Sequence, residues 1–323
     1  MISLFDLALS NLLSPVVLFF ALGVGASLAK SELSIPEAVA KTLALYLMMS
    51  IGFKGGVEVS KSGLDQHLLL AILGGVALSA LLPIFGFAAL RATSKLSVAN
   101  AAAVAAHYGS ISIVTFVAAT QALQIVGLPY EGYLIAVAAA METPAIMVAL
   151  YLANKGGNTA GRKDGLWREV ALNSSVVMLL GSFAIGCISG EAGLKPVAPF
   201  LVDLFRGVLC LFLLDMGLIA GRGLRQGFRT LSLPVIAFAI YMPLISAGCA
   251  AILSLALGMS PGGTALFITL AASASYIAVP AAMRIALPEA QPAIYLTLSL
   301  AITFPFNLTI GIPLYLWLAE AIQ

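Results

Sequence analysis

Two short polar runs stand out in an otherwise apolar chain. One is His107-Tyr108-Gly109-Ser110-Ile111-Ser112; the other is Ser273-Ala274-Ser275-Tyr276, followed by Pro280. Glycine and proline weaken a helix, and serine hydroxyls can satisfy a backbone that has been interrupted. Serine both donates and accepts. A helix that restarts mid-path offers N–H groups and partial positive charge, which suit a small anion. A helix that stops there offers carbonyls, which suit a cation such as sodium. The candidate anion contacts are therefore Gly109, Ser110, Ile111, Ser112, Thr115, Ser273, Ala274, Ser275 and Tyr276. The plainer alternative is that these small residues only let helices pack closely.

Glu142 is the second chemical signal. It sits mid-stretch in Met141-Glu142-Thr143-Pro144, where proline frees a carbonyl one turn back. Its counterparts in the second half are Thr303, Pro305 and nearby Asn307. Glu142, Ser275, Thr303 and Asn307 form an oxygen-rich candidate set for sodium. The alternative for Glu142 is a hydrogen-bonded structural carboxylate. His107 reads as a pH-sensitive group or a hydrogen-bonding filler. Asp215 and Lys54, near the ends of apolar stretches, read as snorkelling or paired groups. Lys41 and Arg206 recur at matching positions, which suggests a scaffold role.

These groups must be positioned by membrane helices. Of 323 residues, 61% are hydrophobic and 9% charged, against about a quarter charged in a soluble domain. Leu68 to Leu90 has no charged residue, nor has Leu231 to Met283, which is long enough for two spans of about 20 residues. No strand-like alternation suggests a barrel, so an all-α integral membrane protein is expected. Ten spans are predicted, at 12–29, 36–58, 67–90, 97–123, 131–153, 168–189, 197–219, 231–257, 263–286 and 291–320.

Composition also excludes functions. There is no Gly-Lys-Ser/Thr phosphate loop, and the net charge of +2 gives no reason to expect nucleic acid. Cys187, Cys210 and Cys249 have no metal or disulfide spacing. Two separated histidines and scattered cysteines supply no nucleophile–base pair, so an enzyme is not expected, nor is a cofactor. The first basic residue is Lys30, so no cleavable signal peptide is expected.

The chain also carries a duplication. Leu45–Gly56 (LYLMMSIGFKGG) aligns with Cys210–Gly221 (CLFLLDMGLIAG) at an offset of 165, placing Gly52 on Gly217 and Lys41 on Arg206. Near the polar runs an offset of 166 pairs Ser112 with Ala278 and Gly109 with Ser275. Two five-helix repeats are expected, 1–153 and 168–323, joined by a polar linker at 154–167. Basic residues cluster in alternate loops, which makes those loops and the linker cytoplasmic and puts both termini outside. An odd number of spans per half inverts the second repeat, giving one midplane site two equivalent routes.

Ile35-Pro36-Glu37-Ala38, Gly52–Gly56, Leu204-Phe205-Arg206-Gly207, Met141-Glu142-Thr143-Pro144, Ala272-Ser273-Ala274-Ser275, and Pro280 with Arg284 and Pro288 resemble the SbtA-type sodium-dependent bicarbonate permeases. The resemblance implies a core domain and a gate domain, with discontinuous spans four and nine crossing at the site. It implies bicarbonate carried with sodium by alternating access, and a homotrimer in the lipid of the plasma (inner) membrane. Bile-acid sodium symporters share that architecture. Where the family carries an acidic residue followed by Ser-Gly, this chain has Tyr276-Ile277-Ala278-Val279; Ile113 and Val114 also separate Ser112 from Thr115. A phenol offers a dipole where a carboxylate offers full charge, so a weakened or relocated sodium site is expected. The added apolar bulk keeps open a small organic monocarboxylate, coupled to sodium or protons, or a transport-inactive sensor of the same fold. Family members often have a longer linker and a PII-like cytoplasmic regulator; the short linker here argues against that partner.

Overall fold

The computed structural model describes residues 9, 12–62, 66–155, 174–227 and 231–323, all helices and short connections with no strand among them. Most of the predicted linker lies outside the described residues. Helix α1 (Pro15–Leu28) begins at Ser14, whose Oγ accepts from Val17 N at 3.4 Å, with Pro15 in the first turn where its missing N–H costs nothing. There follow α2 (Glu37–Ser62), α3 (Gln66–Thr93), α4 (Val98–Gly109), α5 (Ile113–Val126) and α6 (Leu134–Lys155). The second half comprises α7 (Ser174–Ala198), α8 (Phe205–Gly227), α9 (Leu233–Ala256), α10 (Pro261–Ala272), α11 (Ala278–Ala286) and the rod α12 (Pro292–Ala321).

Among the described residues, six helical runs are long and apolar enough to cross a membrane: Gln66–Thr93, Val98–Val126, Leu134–Ala153, Val177–Arg225, Leu233–Ala256 and Pro292–Ala321. Pro15–Leu28 and Pro261–Ala272 are apolar but shorter. Helix α2 is long, but it carries Glu37, Lys41, Lys54, Glu58 and Lys61. Val177–Arg225 is 49 residues, more than two crossings' worth, and it bends at Gly190 (φ 56°, ψ −157°). The predicted boundaries 168–189 and 197–219 shift accordingly. Beyond Gly190 the chain resumes helix to Ala198 and makes a π turn at Pro199–Asp203, so α8 starts later than hydropathy alone places it.

The duplicated block explains the packing of the first two helices of each half. Gly52 and Gly56 of α2 meet the α7 backbone: a Cβ on Gly52 would sit 2.5 Å from Leu179 O, and one on Gly56 would strike Phe183 O. At an offset of 165, Gly217 and Gly221 of α8 meet α1, where a Cβ on Gly217 would strike Phe20 O. Gly23 and Gly186 return the contact against Leu214 O and Phe53 O. Each half's second helix thus packs on the other half's first helix, backbone against backbone, which only glycine permits.

The remaining helices surround α4, α5, α10 and α11. Helix α3 packs on α4 and α6; α9 and α12 pack on α10. The rod α12 alternates α and π turns, with π segments at Thr297–Thr303 and Asn307–Gly311 around Pro305 and before Pro313. Proline lacks an N–H and crowds the preceding turn, and widening to π relieves this.

Candidate functional site

Helices α4 and α10 are near-copies, each of 12 residues. Ser97 caps α4, accepting from Asn100 N at 3.2 Å; Ser260 caps α10, accepting from Gly263 N at 3.0 Å. Both stop at an extended serine: Ser110 (φ −87°, ψ 169°) and Ser273 (φ −86°, ψ 165°). The structural register is therefore 163, not 166, and it pairs Ser110 with Ser273 and Ser112 with Ser275. Two extra residues in the second break, Tyr276 and Ile277, take the register to 165 beyond it, where Ile113 meets Ala278, so an offset of 166 holds on neither side.

The two breaks touch, and the contact is reciprocal. Ser112 N donates to Ser273 Oγ at 2.8 Å, and Ser275 N donates to His107 O at 2.8 Å. Ser273 Oγ in turn donates to Leu270 O at 2.8 Å, closing the end of α10. Ser112 caps α5, accepting from Thr115 N at 3.2 Å and Thr115 Oγ1 at 2.9 Å. Helix α11 is preceded by Ile277, which gives it no side-chain cap. Two C-termini and two N-termini, carrying roughly −0.5 and +0.5 charge each, thus converge with no ionised side chain in 97–126 or 260–283.

The crossing is closed and contains an unsatisfied hydroxyl. Ser110, Ile111, Ser112, Thr115, Ser273, Ala274, Ser275 and Tyr276 are all buried. Among the described residues, Ser110 Oγ and His107 Nε2 have no hydrogen-bond partner. The Tyr276 hydroxyl lies beside those of Ser112 and Thr115, and its ring packs edge-on to Phe304 at 5.2 Å. His107 Nδ1 donates to Ala103 O at 2.6 Å while its ring stacks on Tyr295 at 4.5 Å. Gly109 faces away: a Cβ there would meet Pro83 of α3 and, at 3.0 Å, Ala145 of α6. Its part is close helix packing.

The oxygen-rich set divides. Ser275 is at the crossing. Thr303 Oγ1 donates to Ala239 O at 2.6 Å and meets Tyr108 Oη at 2.5 Å. Ala239 is the carbonyl freed by Pro243 in α9, so Thr303 repairs a proline defect. Asn307 Nδ2 donates to Ala272 O, the last carbonyl of α10, at 2.9 Å, and its Oδ1 accepts from Tyr315 Oη at 2.8 Å. Glu142 is buried in α6 with Oε2 unpartnered, while Ser79 Oγ donates to the adjacent Met141 O at 2.6 Å. Among the described residues no three His, Cys, Asp or Glu side chains gather as a metal cluster.

One positioning residue, Glu131, has no counterpart among the sequence expectations, and another, Arg206, stands there as a scaffold residue. Glu131, ahead of α6, accepts from Ser260 N at 2.8 Å and Ser260 Oγ at 3.0 Å, anchoring the start of α10. Its signal is only an acid placed to meet a distant helix N-terminus. Arg206 of α8 reaches Gln121 Oε1 at 2.5 Å and Gln124 Oε1 at 3.4 Å on α5, beside a cavity of about 190 Å³. Its repeat mate Lys41 instead pairs with exposed Glu37 at 2.8 Å. The matched pair is therefore not one shared scaffold element.

No curated protein matches the chain at significance. A family model, the Na+-dependent bicarbonate transporter superfamily, matches residues 15–320. The multi-pass helical chain with its two broken, crossing helices belongs to the Na+-dependent bicarbonate transporter superfamily.

Proposed function

We propose that the protein is a secondary transporter that carries bicarbonate with sodium by alternating access. The observation that carries this reading is the contact between the two helix breaks, with the Ser110 hydroxyl left unpaired beside it. A buried hydroxyl without a partner costs free energy that a bound anion would recover. The uncapped N-terminus of α11 adds donors of the right sign. Sodium travels as a second cargo, held by backbone carbonyls and Ser275 at the crossing, with Glu142 supplying charge from α6. Tyr276 replaces the resembled family's carboxylate, so this cation site is weaker than one with an acid at that place.

The helices form ten spans in two inverted repeats of five. The glycine-packed set α1, α2, α7 and α8 is the gate, and the helices around the crossing are the core. The linker faces the cytoplasm of a plasma membrane, and three copies assemble. Burial of every crossing residue corresponds to an occluded state. The apolar bulk of Ile113, Val114 and Tyr276 favours a second reading, a small organic monocarboxylate in place of bicarbonate.

Purified full-length protein in proteoliposomes should take up radiolabelled bicarbonate when an inward sodium gradient is imposed, and not under a potassium gradient. Unlabelled acetate or pyruvate should leave that uptake intact. Strong competition by either moves the assignment to the organic anion. No uptake of either class under any gradient overturns transport.

A further inference from the structure

The C-terminal ends of α1 and α8 line a second cavity, of about 290 Å³, which shares no lining residue with the crossing. Lys30, Arg222 and Arg225 line it, with Ser27, Ser31 and Leu33. None of the three cations has a carboxylate within 4.0 Å among the described residues, whose ion pairs lie elsewhere. Arg225 Nη1 donates to Ser27 O at 3.2 Å, which ties α8 to the end of α1. Two helix C-termini contribute roughly −0.5 charge each, and Asp215 acts on Arg222 from farther along α8. Glu32 stands between Ser31 and Leu33 in the chain, but no acid is among the residues that line the cavity, whose charged side chains are all cations.

Lys30 itself is unusual. It has φ 60° in the turn that ends α1, closed by Ser31 N to Ala26 O at 2.9 Å and Lys30 N to Ser27 O at 3.1 Å. Glycine is the usual residue in such a turn, and any other pays for the left-handed backbone. A lysine here places an ammonium at the cavity despite that strain. An apolar track leads to the same point: Leu18, Leu22, Leu28 and Leu33 are exposed, and nothing lies within 4 Å of the Cβ position of Gly25 between them.

We propose that this cavity binds the phosphate headgroup of an anionic phospholipid, whose acyl chain lies along the exposed stripe of α1. The cations and the two serine hydroxyls supply donors for a phosphodiester. The adjoining stripe is what separates a lipid from a soluble anion. The site is independent of what the crossing transports.

Native mass spectrometry of the full-length protein, incubated with phosphatidylglycerol or phosphatidylcholine, tests this. Wild type should retain phosphatidylglycerol in preference. Arg222→Gln, which alters an exposed side chain, should cut that retention about fivefold, the worth of one basic residue near a lipid surface. Lys95→Gln, ahead of α4, should leave it unchanged. Equal retention of the two lipids by wild type, or unaltered retention by Arg222→Gln, overturns the proposal. Release of the lipid by millimolar inorganic phosphate assigns the cavity to a soluble anion and overturns the lipid assignment.

Discussion

Ser110 and Ser273 end matching half-helices in the same conformation, yet removing their hydroxyls should have opposite effects. Ser273 Oγ accepts from Ser112 N and donates to Leu270 O, both at 2.8 Å, in a site 1% exposed. Ser273→Ala leaves a buried N–H and a helix-end carbonyl without that partner, at a cost of about 1–3 kcal/mol. Ser110 Oγ has no partner among the described residues. Ser110→Ala therefore removes an unpaired buried hydroxyl and should leave stability unchanged or raise it. If that hydroxyl serves the anion, its loss costs a charge-assisted hydrogen bond of about 1.5–3 kcal/mol, so KM rises roughly 10- to 150-fold. Thermal unfolding of the purified variants and bicarbonate uptake in proteoliposomes read the two effects separately. A Ser110→Ala protein that melts as early as Ser273→Ala while keeping the wild-type KM would refute the reasoning.

Glu142→Gln should raise the sodium concentration for half-maximal uptake at least about tenfold; an unchanged value assigns Glu142 to scaffolding. Thr303→Val should instead cost about 1–3 kcal/mol of stability, because Ala239 O and Tyr108 Oη lose a partner. It should leave sodium dependence as it was. Tyr276→Asp should lower the half-saturating sodium concentration, since it puts a full charge where a phenol now sits beside Ser112 and Thr115; loss of all uptake in this variant contradicts that account. Gly217→Val should destabilise by about 1–3 kcal/mol or more through collision with Phe20 O, whereas Gly207→Ala, with nothing within 4 Å, should melt like wild type.

The sequence made the broken helices legible because glycine, proline and clustered serines are costly inside an apolar helix. Their residue pairing was less legible. Small residues align at several offsets, and only the caps Ser97 and Ser260 distinguish 163 from 166. The duplicated glycines were visible as a repeat but not as an α2–α7 and α1–α8 exchange, which depends on which backbones meet. Thr303 and Asn307 read as free oxygens because their partners, Ala239, Tyr108, Ala272 and Tyr315, are distant in sequence or are plain backbone. Glu131 was missed for the same reason, and Arg206 was legible as a scaffold residue without its partners Gln121 and Gln124. The chain stays helical past Gly190 through Glu191, Lys195 and Pro196, residues that read as a loop, so the boundaries around 189–205 moved.

The central claim is that the crossing of α4–α5 with α10–α11 is where the anion and sodium bind. Ala274, buried between Ser273 and Ser275, is the reporter position. With Cys187, Cys210 and Cys249 replaced by alanine, Ala274→Cys should be alkylated as the protein cycles. Bicarbonate and sodium together should slow that reaction at least about tenfold, and neither alone should match the pair. An alkylation rate that ignores both solutes would place the site elsewhere and contradict the account.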